Sequence, residues 1–445
     1  MLGLPGLPRK LPSRNWLIFW GLSSSLAAAI IYDKREKKRA TARWVAAVAP
    51  LAREPLPNPS AMPRRVTVFL EAPPGDGLRV AQDHFAEYVK PVLASSGLDW
   101  DFVVGRRQGD VRAVVAERVR RSRRALERDL GETTAAAAED APTDEDVVEA
   151  VRQKNGTAEY EGRKGDIIVG RHTWKEYVRG LHEGWLGPLA PPPEPVVEAQ
   201  VPTTTEIEGK MEAAVSPSAD TEAAPSTTPP PPPAPEEEKP KGPPPQPRPY
   251  NTPDQYPSSP LPRFIPGELG PSAPIPFPHL LGFSSTPTRL WRFLNRRHLA
   301  DEVGREVAAV CFCTVREYRE SIDGYEQERV LAHEERDWIK SVWKEETAEK
   351  KETPASDGPT RPAPLAPFRE NVWTSPVVVD PRIANRMLRF ALSPDTEAAG
   401  RSIVVPEEAI EGWTKGKLRQ LARWGLQKWR NDSKPVNVGN LDDVD

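Results

Sequence analysis

Between Pro188 and Pro278 the chain places 29 of its 52 prolines. Proline fixes φ and donates no backbone hydrogen bond, so a stretch this dense in it cannot be woven into a helix or a central strand. Five consecutive prolines from Pro229 and three from Pro243, set among Glu, Thr and Ser, predict extended, partly polyproline II backbone over 188–260. Such a segment buries too little apolar surface to form a core. What can fold of the 445 residues is therefore one block before the tract and one after it. A spacer is the simpler use of the tract than a ligand for an SH3-like partner.

Charge and cysteine content narrow the function classes. Lys plus Arg number 61 against 64 Asp plus Glu, a formal charge of -3, which argues against a bulk nucleic-acid binder. Two cysteines exclude a disulfide scaffold.

From Asn15 to Tyr32 no residue is charged, and those 18 residues as a helix would reach ~27 Å, close to the lower limit for crossing a bilayer. Trp16, Trp20 and Tyr32 sit at its ends, where amphipathic rings favour the headgroup level, and Arg14 and the Lys34–Arg39 cluster bound it. Gly21, Ser25 and Ala29 recur at i, i+4 and i+8, a small-residue face on which another membrane helix can pack closely. Ala27-Ala28-Ala29 would also suit a cleaved secretory signal, but the two tryptophans and the basic cluster favour a retained anchor. Counting basic residues on either side of the span would keep the large domain on the side of synthesis or in the matrix.

Val66 to Leu70 predicts a strand, the following Glu71-Ala72-Pro73-Pro74-Gly75-Asp76-Gly77 a glycine loop with Asp76 as N-cap, and Val80, Phe85, Tyr88, Val89 and Val92 a helix. The pattern repeats with a strand over Trp100–Val104, a helix capped by Asp110, a strand over Ile167–Val169 and a helix through Trp174, Tyr177, Val178 and Leu181. Alternating strands and helices predict an α/β fold with a Rossmann-like parallel sheet, whose loops at the strand ends are where phosphates bind. This block resembles the catalytic domain of diacylglycerol and sphingosine kinases. The resemblance implies an ATP-phosphate loop at Gly170, Arg171, His172 and Thr173, with Glu176, Gly180 and Leu181 also matching, while Gly75 and Gly77 form the first loop. Arg171 stands where that family has an aspartate and His172 where it has a glycine, so the loop is degenerate. The arginines 118, 120, 121, 123 and 124 could meet acidic lipid or an acidic partner, but read more simply as a solvated face.

Past the tract, Leu290–Leu294 is a short apolar run, Val307–Val315 a strand candidate, Tyr325 to Trp343 a long helix, and Trp373–Val379 and Ile403–Val405 further strands. Pro406 opens a terminal helix whose Trp413, Leu418, Leu421, Trp424 and Trp429 share a sector, suited to an anionic membrane surface or to the domain's own core. Cys311 and Cys313 would lie on one strand face, but the six histidines show no metal-site spacing, and two small buried hydrophobes are the simpler reading. Neither a serine nucleophile elbow nor a Walker loop occurs.

Asn15-Trp16, Tyr32-Asp33-Lys34-Arg35, the run from Ala72 to Ala81 and Phe85-Ala86-Glu87-Tyr88-Val89-Lys90-Pro91 resemble the fungal fifty-four-kilodalton subunit family of the mitochondrial carrier translocase. The likeness is close over residues 13 to about 128. It implies a non-catalytic, single-span protein of the mitochondrial inner membrane, with no cofactor and its large domain in the intermembrane space, contrary to the charge count. It further implies a scaffold between the translocase channel, its other membrane subunits and inner-membrane lipid on one side and small intermembrane-space chaperones on the other, with a second tie to the inner-membrane AAA protease. The rival is a membrane-anchored lipid- or nucleotide-handling enzyme. The expected layout is a tail over 1–14, the span over 15–32, a basic juxtamembrane segment over 33–62, an α/β block over 63–187 with a low-complexity insert at 131–142, the linker over 188–260, an α+β block over 261–432 and a tail over 433–445.

Overall fold

The computed structural model describes residues 13–55, 62–129, 144–157, 160, 162–192, 246–322, 324–343 and 370–432. Residues 193–245 of the proline-rich linker, the insert at 131–142 and residues 1–12 and 433–445 fall outside the described residues, whereas 246–260, expected as extended linker, packs on the body with Asn251 and Tyr256 buried against Arg179. Helix α1 (Arg14–Val48) runs without interruption through the uncharged segment and beyond it. At 1.5 Å per residue, its 35 residues extend ~52 Å, well past what a hydrocarbon core requires. The first half is exposed, and after Tyr32 the helix gains a buried stripe, Asp33, Ala40, Trp44 and Val48.

Strand β1 (Arg65–Glu71) is followed by α2 (Leu78–His84), a π turn over Phe85–Val89, α3 (Lys90–Ser96) and β2 (Asp99–Gly105). Next come α4 (Asp110–Asp129), α5 (Asp144–Lys154), β3 (Asp166–Val169) and α6 (Arg171–Leu186). After the tract follow β4 (Ser272–Ile275), α7 (Thr286–Phe293), α8 (Arg296–Phe312), β5 (Val315–Glu317), the small hairpin of β6 (Glu320–Ser321) and β7 (Gly324–Tyr325), and α9 (Glu326–Arg329). The chain ends with α10 (Pro381–Ala384), β8 (Leu388–Phe390), α11 (Pro394–Ser402), α12 (Glu407–Glu411) and α13 (Trp413–Asp432).

One six-stranded sheet, ordered β2-β1-β3-β4-β8-β5, draws strands from both sides of the tract. Its pairings are parallel except for β5, which runs antiparallel to β8. The segments before and after the tract therefore share a sheet instead of each building its own. The alternation of side chains along a strand divides the core. Val66, Val68 and Leu70 of β1 with Ile167 and Val169 of β3 face α1, α3 and α8, whereas Phe69 and Ile168 face α4 and α6.

Two glycines let α4 and α6 touch. A Cβ on Gly180 would lie 2.6 Å from the Arg112 carbonyl, and one on Gly184 2.5 Å from Val119 Cβ. This contact uses the arginine run that the sequence presents as a solvated face. Arg112 and Arg120 are buried on Glu183, and Arg123 donates to the carbonyls of Gly184 (2.6 Å) and Gly187 (2.9 Å) at the end of α6. Arg118 pairs with Asp166 at 2.9 Å and Arg124 with Glu117 at 3.1 Å. The charge here is internal glue, because a guanidinium's several donors can satisfy a buried acid, as in Arg112 and Arg120, or two carbonyls at a helix end, as in Arg123.

Several secondary-structure expectations fail. The stretch expected as a strand over Val307–Val315 is mostly α8, whose Ala300, Val303, Val307 and Val310 follow helical spacing and are buried. Cys311 is then buried at the helix end and Cys313 takes the left-handed C-cap position (φ 56°), so they do not share a strand face. The long helix after Tyr325 stops at Arg329, because Leu331 is also left-handed (φ 57°) and the chain continues as a 3-10 turn. Neither Trp373–Val379 nor Ile403–Val405 pairs with a strand. Asp76 is not the N-cap of α2; Gly77 is, and Asp76 Oδ1 accepts from the Gly77 N–H at 2.8 Å.

Trp44 joins the anchor to the body. Its indole N–H donates to Asp301 Oδ1 at 2.9 Å, and the ring lies on Gly304 and Gly400, where an added Cβ would come within 2.3 and 2.7 Å of it. Trp44→Ala should lower stability by about 3–5 kcal/mol, the range for removing a fully buried aromatic side chain. Thermal unfolding of the full chain in detergent, compared with wild type, measures it.

Candidate functional site at the strand ends and along the anchor

The order of strands turns at β1, which has β2 on one side and β3 on the other. In an open α/β sheet a ligand crevice forms at this point, beyond the C-terminal ends of the strands. The structure brings the suspected phosphate loops there: Gly75 and Gly77 follow β1, and Gly170, Arg171, His172 and Thr173 join β3 to α6. Gly170 needs its lack of a Cβ, since its φ is +86° and a Cβ would meet the His172 ring at 2.8 Å.

The crevice is filled by the protein itself. At the N-terminus of α6, where an anion would sit, Glu334 Oε2 accepts from the Arg171 N–H at 2.8 Å while Oε1 accepts from the Phe277 N–H at 2.6 Å. The Arg171 side chain donates to Glu335 (2.7 Å) and to the Val330 carbonyl (2.7 Å), pinning the segment that carries Glu334. His172 is fully enclosed, its Nε2 3.1 Å from the Glu71 carbonyl oxygen, and Thr173 is buried beneath it. On the β1 side, a Cβ on Gly75 would strike Ile339 Cδ1 at 2.4 Å, so an aliphatic side chain occupies the space a phosphate would need; Gly77 is open.

The same arrangement closes other helix starts. Glu176, matched to the kinase pattern, accepts from the N–H groups of Gly109 (2.5 Å) and Arg112 (3.2 Å) at the beginning of α4. Asp110 turns back instead of capping forward, accepting from the N–H groups of Arg106 (2.9 Å) and Arg107 (3.0 Å). Asp33 of α1 accepts from the N–H groups of Arg296 (3.2 Å) and Arg297 (3.3 Å) at the start of α8. Three helix N-termini that could attract anions thus each hold a carboxylate from elsewhere in the chain.

Burial controls the protonation of these acids. Glu71 is pushed well above its ordinary value of 4.5, first by desolvation and then by the charge of Glu176 beside it, and desolvation raises Glu176 as well. Desolvation raises Glu334 to about 7 despite the two N–H donors. Burial acts oppositely on the enclosed imidazoles, lowering His84 to about 3 and His172 and His182 to about 4.

The small-residue face of α1 is bare. Gly21, Ser25 and Ala29 line up within the exposed half, and nothing lies within 4 Å of a Cβ built on Gly21. Where α1 enters the body, the basic cluster is largely consumed by it: Arg35 and Arg39 bind Glu407, Lys37 binds Glu87, and Arg43 meets Asp301 at 3.1 Å. Lys34, Lys37 and Lys38 line a pocket of about 700 Å³ whose other wall is Val404, Val405, Pro406 and Ile410. Sequence reasoning missed Glu334, Glu183 and Asp33. Only Asp33 carried a signal, as the single acid directly between an apolar span and a basic cluster.

Residues 1–390 match the family of the inner membrane protein import complex subunit Tim54. The mitochondrial import inner membrane translocase subunit tim54 of Neurospora crassa is 50% identical, covering 99% of this chain and 90% of that protein. Its Aspergillus oryzae counterpart is 43% identical over 99% of this chain and all of its own length. The Saccharomyces cerevisiae protein of the same name is 25% identical over 89% of this chain and 94% of its own.

The buried acids set a pH signature. A carboxyl whose folded-state value is raised contributes stability that is full below its unfolded value and is lost as pH rises through the folded one. Replacing Glu71 with Gln, which needs no proton to stay neutral, should therefore raise the unfolding midpoint relative to wild type at about pH 8 and by much less at about pH 5. Unfolding scans of both chains at the two pH values check this.

Proposed function

This chain belongs to the Tim54 family, and from that premise we propose that it acts as a non-catalytic scaffold of the mitochondrial inner-membrane import translocase. Its anchor packs against membrane helices of the translocase channel and other subunits, and its body receives the small chaperones that bring multispanning carrier precursors. The observation that carries this reading is the pairing of a bare small-residue face on α1 with a strand-end crevice closed by the chain's own carboxylates. A surface is left free for partners where an enzyme would keep a pocket free for substrate. In this reading the large domain lies in the intermembrane space. The basic cluster behind the span supports this over the charge count, because Arg35, Lys37, Arg39 and Arg43 serve as ion-pair partners of the folded body. Contact with the inner-membrane AAA protease belongs to the same scaffold role.

Replacing Gly21, Ser25 and Ala29 together by Leu should release the chain from its membrane partners while leaving its body folded, since none of the three supports the core. Native purification from mitochondria in mild detergent, with mass spectrometry of what co-migrates, is the measurement. Recovery of channel subunits with wild type and their loss with the triple variant is the expected result. An unchanged partner set with the variant would remove the packing claim, and a lone wild-type protein carrying nucleotide or lipid would restore the enzyme reading.

A further inference from the structure

Helix α7 has no buried residue. Trp291 is 65% exposed, Leu290 and Phe293 are exposed beside it, and Phe283 just upstream is 95% exposed. At 100° per residue Leu290, Trp291, Phe293 and Leu294 share one sector, while Arg289 and Arg292 lie opposite. Arg292 fixes that opposite side to the body through Asp337 at 2.7 Å. The apolar side of α7 is thus directed away from the domain that carries it.

The position of this helix relative to the membrane is set by Asp33, the first residue past the uncharged run. Its carboxylate receives the N–H groups of Arg296 and Arg297, three and four residues beyond the end of α7. The Arg297 guanidinium lies over the Tyr32 ring at 5.5 Å, and that of Arg296 over the Phe293 ring at 4.8 Å. Residues 293–297 therefore gather around the point where α1 leaves the bilayer.

A second exposed helix, α13, is tied to another side of α1 through the two acids of α12. Glu407, bound to Arg35 and Arg39, also pairs with Arg423 of α13 at 3.1 Å, and Glu411 joins Arg35 to Arg419. Leu418, Leu421, Trp424 and Leu426 of α13 are all more than 60% exposed. Asp33 and Arg35 are 200° apart around α1, so α7 and α13 flank it on roughly opposite sides. Lys34, between Asp33 and Arg35, and Lys38, one turn further on, are exposed and enter no ion pair among the described residues.

We propose that α7 and α13 are interfacial helices that lie in one anionic leaflet on either side of the emerging anchor. Their aromatic and leucine side chains reach the acyl boundary, and Lys34 and Lys38 meet lipid phosphates. Amphipathic helices with Trp and Leu on one face and basic residues on the other bind in this way, by apolar burial together with attraction to anionic headgroups. The proposal rests on α1 being the membrane span. It adds that the body sits down on the bilayer instead of standing off on a stalk, and of the two surfaces open to α13, membrane or the domain's own core, it assigns the membrane.

The test uses the full chain in nanodiscs of phosphatidylcholine with and without cardiolipin, carrying one nitroxide label at a time. Cys313→Ser removes the half-exposed thiol, while Cys311 is buried with its thiol pushed up to about 11 and stays unlabelled. Labels go at Leu290→Cys on α7, Leu421→Cys on α13, Leu22→Cys within the span and Val148→Cys on exposed α5. Collisions with oxygen report lipid and collisions with a nickel chelate report water. The expected result is a severalfold higher oxygen-to-nickel ratio at 290 and 421 than at 148, shallower than at 22, and diminished by Lys34→Glu with Lys38→Glu only where cardiolipin is present. If 290 and 421 behave like 148 while 22 stays in lipid, the interfacial helices are wrong and the anchor stands. Shielding of 290 and 421 from both reagents would mean cover by protein, which also overturns the proposal, and a water-exposed label at 22 would remove the anchor itself.

Discussion

Trp44 on its two glycines is the contact through which the membrane and the folded body become one object. Because α1 is unbroken from Arg14 to Val48, the orientation of its lipid-facing half is dictated by the seating of its second half. Gly304 and Gly400 come from separate helices, α8 and α11, yet both leave room for the same indole. A flexible linker would have let the domain turn freely about its anchor; a continuous helix locked by a buried aromatic ring transmits any force on one half to the other.

The sheet is of a kind that elsewhere holds nucleotides, and its chemistry has been closed from within. An anion drawn to the start of α6 or α4 would have to displace Glu334 or Glu176, each already receiving two backbone N–H groups. Filling these positions with internal acids satisfies orphaned donors at the cost of burying carboxyls, whose charged form desolvation disfavours. The same economy appears at Asp33, whose charge would be costly beside a bilayer if the first turn of α8 did not neutralise it.

Local pattern made much of this visible in the sequence. The uncharged run, the valine-rich strands β1 to β3 and the glycine turns after β1 and β3 are each encoded within a dozen residues, as is the family likeness around Pro73-Pro74-Gly75-Asp76-Gly77. What escaped depends on residues distant in the chain. Glu334 lies 163 positions from the N–H it caps, and Arg112 71 from its partner Glu183. No periodicity marks such a meeting, and a cluster of arginines looks solvated until the helix-end carbonyls they bind are known. Helix α8 was hidden differently: its valines favour strands by propensity, and only burial against α1 selects the helical alternative.

The sharing of one sheet across the proline tract has a consequence for when this protein can fold. Strand β4 must pair with β3 across about a hundred intervening residues, and β8, which supplies Phe390 to the core, comes more than two hundred residues after β3. Loop-closure entropy for such distant partners must be met before their contacts give anything back. Until Phe390 is available, β8 cannot bridge β4 and β5 and the core on that side of the sheet is incomplete. Completion of the sheet is therefore a late event by topology, because its strands come from both sides of the tract.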